Sequence, residues 1–187
     1  MSTQARNEFG GEFGGIELFG KAHSLSALFI VTLRAVIGGM MLFAGLGKYA
    51  FISGEAFDAS GYLANVDAAS PVSGIYASMA ATPWFVEMAN VLVPLTQVLI
   101  GLALIVGAFV RLAAFGGALQ MLMFYLGNWE GQWLAAFDST LIYAVVFATV
   151  AAFGAGRILG VDAYIERIEI GGQPLVERFP VARYLLG

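Results

Sequence analysis

Four stretches of the chain are apolar over the length needed to cross a lipid bilayer, because roughly 20 helical residues span a ~30 Å hydrocarbon core. They cover residues 26–50, 84–106, 109–127 and 136–156. Runs of this length do not fit the strands of a membrane barrel, which alternate polar and apolar residues over about ten positions. Helices are the other structure that satisfies every backbone hydrogen bond in lipid. The sequence therefore predicts an all-α fold, a polytopic bundle of four transmembrane helices.

The composition narrows the classes of function. Charged residues make up only 12% of the 187 residues, whereas a soluble domain carries about a quarter. The absence of cysteine excludes disulfides, thiolate catalysis and iron–sulfur ligation within this chain. The single histidine, His23, leaves no pair for a haem or a histidine-rich metal site. We therefore predict no metal site, no covalently bound cofactor and, given the net charge of −4, no nucleic-acid partner.

The basic residues predict the orientation of the bundle. Lys21 precedes the first span, Arg111 lies in the short turn between the second and third spans, and Arg157 follows the fourth. The connections at residues 51–83 and 128–137 contain no Lys or Arg. Because basic residues favour the cytoplasmic side, both termini are expected in the cytoplasm and both of these connections outside.

Two tails flank the predicted membrane domain of residues 26–157. The first tail, residues 1–25, contains the tandem repeat EFGG-EFGG and is either a flexible segment or one that lies on the membrane surface. In the second, amphipathic tail, residues 158–187, apolar residues at helical spacing predict an interfacial helix. That helix is expected to break at Gly171 and Gly172.

The connection between the first and second spans is too long for a bare loop in so small a protein. Apolar residues at helical spacing lie on both sides of Pro71 and Gly74. They predict two short helices packed over the outer mouth of the bundle. These helices either close a pocket or simply cap the ends of the spans.

Polar side chains inside the predicted spans are candidates for function, because each costs up to about 3 kcal/mol to insert and normally faces the bundle interior. At a rise of about 1.5 Å per residue, Arg34, Gln97 and Gln120 fall at a similar central depth, where no acid is expected. They either bind a quinone, with Tyr125 and Trp129 stacking on its ring, or have structural roles. For Arg34 the structural alternative is snorkelling to the inner surface; for the two aromatics it is an interfacial belt.

A second polar group is expected near the outer boundary. Lys48, Glu87 and Asp138 each lie within roughly 5 Å of it by the helical rise, with Asn90 nearby. Two acids and one base at one level predict a charge cluster, which could attract an anionic substrate. The alternative is that these are ordinary interfacial residues that fix the helix register.

Three motifs of this chain resemble the DoxX family of membrane proteins. They are Leu33-Arg34 followed by Phe43-Ala44-Gly45-Leu46-Gly47-Lys48, the run GLALIVGAFVRLAA at residues 101–114, and Gly156-Arg157 before Val161-Asp162. Together they extend over about residues 26–162, which is nearly the whole membrane part.

The resemblance implies a four-helix, multi-pass protein of the prokaryotic plasma membrane and a link to the DoxD subunit of thiosulfate:quinone oxidoreductase. In that context Arg34 and Lys48 carry over as the basic residues of the first helix. Many relatives place a glutamate where this chain has Gln97, so the resemblance implies no proton-handling role at that position.

Three functions stay open at this point. The chain is a quinone-linked redox subunit that takes quinone as a substrate, a non-catalytic accessory subunit of a larger respiratory or redox membrane complex, or a small transporter or lipid-binding bundle. The sequence does not decide whether the chain is an enzyme. In each case its partners are membrane lipid and either other membrane subunits or further copies of itself.

Overall fold

In the computed structural model, which describes residues 8–132 and 136–187, the protein is mostly helical. The helices are α1 (Ser26–Leu46), α2 (Ala50–Ser53), α3 (Ala59–Ala64), α4 (Ser73–Ala80), α5 (Pro83–Val106), α6 (Val110–Gly127), α7 (Ser139–Ala152), α8 (Asp162–Ile165), α9 (Leu175–Arg178) and α10 (Ala182–Leu185). The strands are β1 (Glu8–Phe13), β2 (Ile16–Lys21), β3 (Glu169–Ile170) and β4 (Gln173–Pro174). Helices α3 and α4 lie where two short helices were predicted.

Three helices, α1, α5 and α6, are long and apolar enough to cross a membrane, which confirms the prediction of membrane-spanning helices. The helix in the fourth predicted span is shorter than expected. Helix α7 has 14 residues, about 21 Å at the helical rise. It ends before Gly154, whose φ of +58° begins a 3₁₀ turn at Ala155–Arg157. The count of four spans therefore stays a prediction.

Two hairpins were not foreseen in the all-α prediction. Strands β1 and β2 pair antiparallel around Gly14 and Gly15, whose φ values of +60° and +81° suit a two-residue hairpin turn. Residues 1–7 of the predicted first tail lie outside the described residues. In the second tail the chain forms the one-turn helix α8, then the β3–β4 hairpin around the two glycines where a break was expected, and then the one-turn helices α9 and α10.

Glycines bring the backbones of α1 and α5 into direct contact. A Cβ added at Gly45 would lie 2.8 Å from the backbone nitrogen of Val98, and one added at Gly38 would lie 2.9 Å from the Cβ of Leu104. On α5, a Cβ at Gly101 would meet the backbone of α1. Small residues of this kind permit the close helix approach that stabilises bundles in lipid.

The core forms two tightly packed pairs of helices. Helix α5 packs chiefly on α1, and α6 packs chiefly on α7, where the fully buried ring of Phe147 lies against Gly117. Between α5 and α6 the contact is less extensive. This difference leaves space between α5 and α6, and that space contains the candidate site.

Replacement of Gly45 by Ala tests the α1–α5 contact. We expect Gly45→Ala to destabilise the protein by about 1–3 kcal/mol, because the added methyl group meets the backbone of α5 and overpacks the contact. Gly39→Ala is the matched control on the same helix, since a Cβ there has no neighbour within 4 Å. Unfolding followed by circular dichroism in detergent micelles measures both. Equal stability of the two variants would contradict the proposed packing.

Candidate functional site

A cavity of about 380 Å³ lies between α5 and α6, with α3 and α4 forming one of its walls. We call it the apolar cavity. Its wall consists of Phe57, Ala59, Tyr62, Leu63, Tyr76, Met79, Phe85, Ala89, Val93, Thr96, Ile100, Gly116, Leu119, Gln120, Met123 and Phe124. The volume lies in the range of about 300–1,000 Å³ that is typical of ligand sites, as is the mainly apolar wall with a few polar groups.

Helices α3 and α4 are fastened to the C-terminal end of α6. The Tyr76 hydroxyl donates to the carbonyl of Met123 at 2.9 Å, and the Ser70 hydroxyl donates to that of Leu126 at 2.7 Å. The last four carbonyls of a helix have no partner within the helix, so the Ser70 hydroxyl supplies one for Leu126, while the Tyr76 hydroxyl adds a further bond one residue before them. The short helices therefore both cap α6 and close the apolar cavity on that side.

The two tyrosines of this wall remain neutral at physiological pH. Burial raises the pKa of Tyr62 to about 12, with smaller contributions from Tyr76 and Asp138. Burial also raises the pKa of Tyr76. Because an acid with a raised pKa keeps its proton, both phenols can donate hydrogen bonds throughout the neutral range.

Gln120 supplies the amide group of the apolar cavity. Its Nε2 is 3.5 Å from Oγ1 of Thr96, and Thr96 in turn donates its proton to the carbonyl of Leu92 at 2.7 Å. Within the described part of the chain, the buried Oε1 of Gln120 has no hydrogen-bond partner. An unsatisfied buried acceptor costs about 1–3 kcal/mol, so a ligand that bonds this amide gains affinity.

The other members of the predicted quinone group lie outside this cavity. Gln97 is buried against α1, its Cβ close to Gly45. The Tyr125 hydroxyl donates to the carbonyl of Ala136 at 2.9 Å, and Trp129 packs edge-on against the Tyr125 ring at 6.0 Å between centroids. Of the predicted group, only Gln120 lines the cavity. The rings that line it come mainly from α3, α4 and their flanks, which the sequence analysis treated as cap or lid.

Arg34 is not at the depth of Gln97 and Gln120, which corrects the prediction. It is 2% exposed and lies at the end of the bundle opposite to α3 and α4. There its guanidinium donates to the carbonyls of Ala155, of Ile158 at 3.1 Å and of Leu159 at 3.2 Å. The helical rise misplaced it because α1 extends beyond the ends of its neighbouring helices on that side of the bundle. Arg34 therefore holds in place the segment that follows α7.

Asp162 is the acid that the sequence analysis missed. It is fully buried, and its carboxylate accepts hydrogen bonds from the backbone N–H groups of Phe109 at 2.7 Å, Val110 at 2.9 Å and Gly187 at 3.1 Å. It thereby caps the start of α6 and also attracts Arg34. The expectation of no acid near Arg34 is thus wrong. Gly156 makes room for it, since a Cβ there would meet the carboxylate.

The charged residues of the predicted outer cluster make separate contacts in the structure. Lys48 donates to the carbonyl of Ala44 at 3.1 Å and lies 5.4 Å from the centroid of the Phe57 ring. Glu87 is exposed. Across residues 8–132 and 136–187, no ion pair joins Lys48, Glu87 and Asp138. A lysine at the end of a helix reaches the last carbonyls and water more cheaply than it pairs across the bundle.

Asn90 and Asp138 bond the backbone. The Oδ1 of Asn90 accepts from the N–H of Ala59 at 2.7 Å and so holds α3 on α5. Asp138 caps α7, where its carboxylate accepts from the N–H of Leu141 at 2.9 Å and from the Thr140 hydroxyl. Both residues have structural roles of the kind that the alternative interpretation described.

Fold and site together define a small, mostly helical protein with three helices long and apolar enough to cross a membrane and an apolar cavity between two of them. In comparisons with family models, with curated proteins and with solved structures, the chain matches none of them. The resemblance of its motifs to the DoxX family therefore stays a prediction.

Removal of the Asp162 carboxylate tests the cap that this residue forms at the start of α6. We expect Asp162→Ala to lower the free energy of unfolding by about 3 kcal/mol, since it leaves three backbone N–H groups buried and unpaired. Asp58→Ala removes the exposed cap of α3 and should have a clearly smaller effect. Denaturation of both variants in micelles measures the difference. Equal losses would show that Asp162 is not a buried cap.

Proposed function

We propose that this chain is a quinone-linked redox subunit of a membrane complex, of the DoxX and thiosulfate:quinone oxidoreductase type. The observation that supports this most strongly is the apolar cavity between α5 and α6 with the amide of Gln120 in its wall. A quinone joins an apolar ring and tail to carbonyl oxygens. Such a molecule needs a cavity that is mainly apolar and offers few, well-placed hydrogen-bonding groups.

The chemistry of the wall suits both redox forms of a quinone. The amide of Gln120 offers N–H groups to a quinone carbonyl and an oxygen to a quinol hydroxyl. The rings of Tyr62, Tyr76 and Phe124 surround the same space, and aromatic rings favour offset or edge-on contact with a flat partner. No charge needs to be buried for a neutral quinone to bind.

The proposed membrane arrangement has four spans, with α7 as the fourth. Helix α7 continues the bundle through its packing on α6, and a 14-residue helix spans if the adjoining segments complete the crossing. The distribution of basic residues supports cytoplasmic termini. We place the protein in the plasma membrane of a prokaryote, as a multi-pass protein.

The second candidate is a non-catalytic accessory subunit of a larger respiratory or redox complex. One observation favours it: three polar residues that the sequence offered as functional bond the protein's own backbone. They are Arg34, Asn90 and Asp138. In this case the polar groups fix the helices, and the chain acts through its contacts with partner subunits.

The cavity amide provides the test of quinone binding. We expect Gln120→Met to weaken binding of a short-chain ubiquinone analogue by about tenfold, the equivalent of one hydrogen bond of about 1.4 kcal/mol. Gln97→Met is the matched control, because it changes a buried glutamine that does not line the cavity, and its affinity should match that of the unaltered protein. Equilibrium titration in micelles measures the three affinities.

A lack of saturable quinone binding by the unaltered protein would contradict the proposal. Thiosulfate-dependent reduction of the same quinone then separates the two candidates. Reduction by the purified protein or its native complex, lost in Gln120→Met, supports the redox subunit. Quinone binding without any such reduction supports the accessory subunit.

A further inference from the structure

A second cavity, of about 370 Å³, lies beside the apolar cavity and differs from it in chemistry. We call it the outer pocket. It is lined by Tyr62, Asn65, Val66, Asp67, Gly127, Asn128 and Glu130. Most of these side chains are polar, and Asn65, Asp67, Asn128 and Glu130 are exposed. The outer pocket is therefore open to water.

Tyr62 is the one described residue that lines both cavities. The single proton of its hydroxyl is shared between the carbonyl oxygen of Phe124 at 3.3 Å and Oδ1 of Asn128 at 3.2 Å, and its ring packs edge-on against the Phe124 ring. Both distances are longer than the usual range of about 2.5–3.0 Å for a hydroxyl donor. The phenol is thus held by weak hydrogen bonds at a position that both cavities share.

The charge around the outer pocket has one sign. Asp67 and Glu130 are carboxylates, and no Lys, Arg or His occurs among the described residues that line the pocket. The same holds for the sequence nearby, because residues 51–83 and 128–138 contain five acids and no Lys, Arg or His. A cleft lined by one sign of charge concentrates ions of the opposite sign and repels those of its own sign.

We propose that the outer pocket is the entrance through which small polar molecules reach the apolar cavity from water, that Tyr62 is its partition, and that it admits neutral and cationic molecules in preference to anions. The inference rests on the proposed function only in taking the apolar cavity as the ligand site. It also refines that function. A dianion such as thiosulfate is disfavoured at this entrance, whereas a neutral or cationic reactant passes it more readily and can reach a bound ring.

A single introduced thiol inside the apolar cavity tests the route. The chain contains no cysteine, and Gly116 lines the cavity with its nearest neighbour, an atom of Ile100, 3.5 Å from an added Cβ. Gly116→Cys therefore places a reporter there without a clash. The protein in lipid nanodiscs is treated with the trimethylammonium-ethyl or the sulfonatoethyl methanethiosulfonate reagent. Each rate is divided by the rate of that reagent with a free thiol.

The entrance predicts that the cationic reagent reacts about tenfold faster than the anionic one after this correction. In the Gly116→Cys background, the pair Asp67→Asn and Glu130→Gln should bring the two rates to within about twofold. Tyr62→Ala should raise both rates several-fold, because it removes the partition. Tyr125→Phe is the matched control: it removes a hydroxyl that bonds the carbonyl of Ala136 from a ring that lines neither cavity, and it should change neither rate.

Gly127→Ala gives a second, milder test of the partition, because its methyl group would meet the Tyr62 hydroxyl and displace it. It too should raise both rates. Equal corrected rates for the two reagents would overturn the charge selection. Unchanged rates in both Tyr62→Ala and Gly127→Ala, with faster reaction of a lipid-soluble maleimide than of either polar reagent, would overturn the route and indicate access from the lipid. Neither result depends on quinone binding, which the titration above measures separately.

Discussion

Hydrocarbon offers no hydrogen-bond partners, and this constraint determines how the polar groups of this small bundle are arranged. At the end of the bundle where α5 ends and α6 begins, Arg34 and Asp162 bond backbone carbonyls and N–H groups that the helices leave unpaired. At the other end, tyrosine and serine hydroxyls bond carbonyls near the C-terminus of α6. These backbone groups thereby find partners within the chain, as burial in lipid requires. The connection that contains α3 and α4 supplies Ser70 and Tyr76, and the tail after α7 supplies Asp162.

The unequal packing of the helices explains where the cavity lies. Glycines allow α1 and α5 to approach backbone to backbone, and Phe147 fills the space between α6 and α7. Helix α5 packs on α1 and helix α6 packs on α7, so α5 and α6 do not pack closely against each other near α3 and α4. Tyrosines from α3 and α4 close that side with their rings. The result is an apolar space with one amide, Gln120, whose oxygen has no partner among residues 8–132 and 136–187.

Much of the helical framework could be predicted from apolar run length alone, because lipid demands long helices and few charges. Asp138 also carried a readable signal: an acid directly before Ser139 and Thr140 at the start of an apolar run is typical of a helix cap. Asp162 stands in one of the family-like motifs, but no local pattern indicated that it caps α6, since its partners Phe109 and Val110 lie about 50 residues earlier and only the folded chain brings them together. The lining of the apolar cavity was also hidden, because it depends on how far apart two helices pack, which no local pattern encodes.

The central claim is that the apolar cavity holds a membrane-soluble ring compound with its polar end at Gln120. A density map of the protein, purified from its native membrane in mild detergent, tests it most directly. We predict an elongated density between α5 and α6, with one end within hydrogen-bonding distance of the Gln120 amide. Side chains of α5 and α6 packed together across that space, leaving no room for a ligand, would contradict the account.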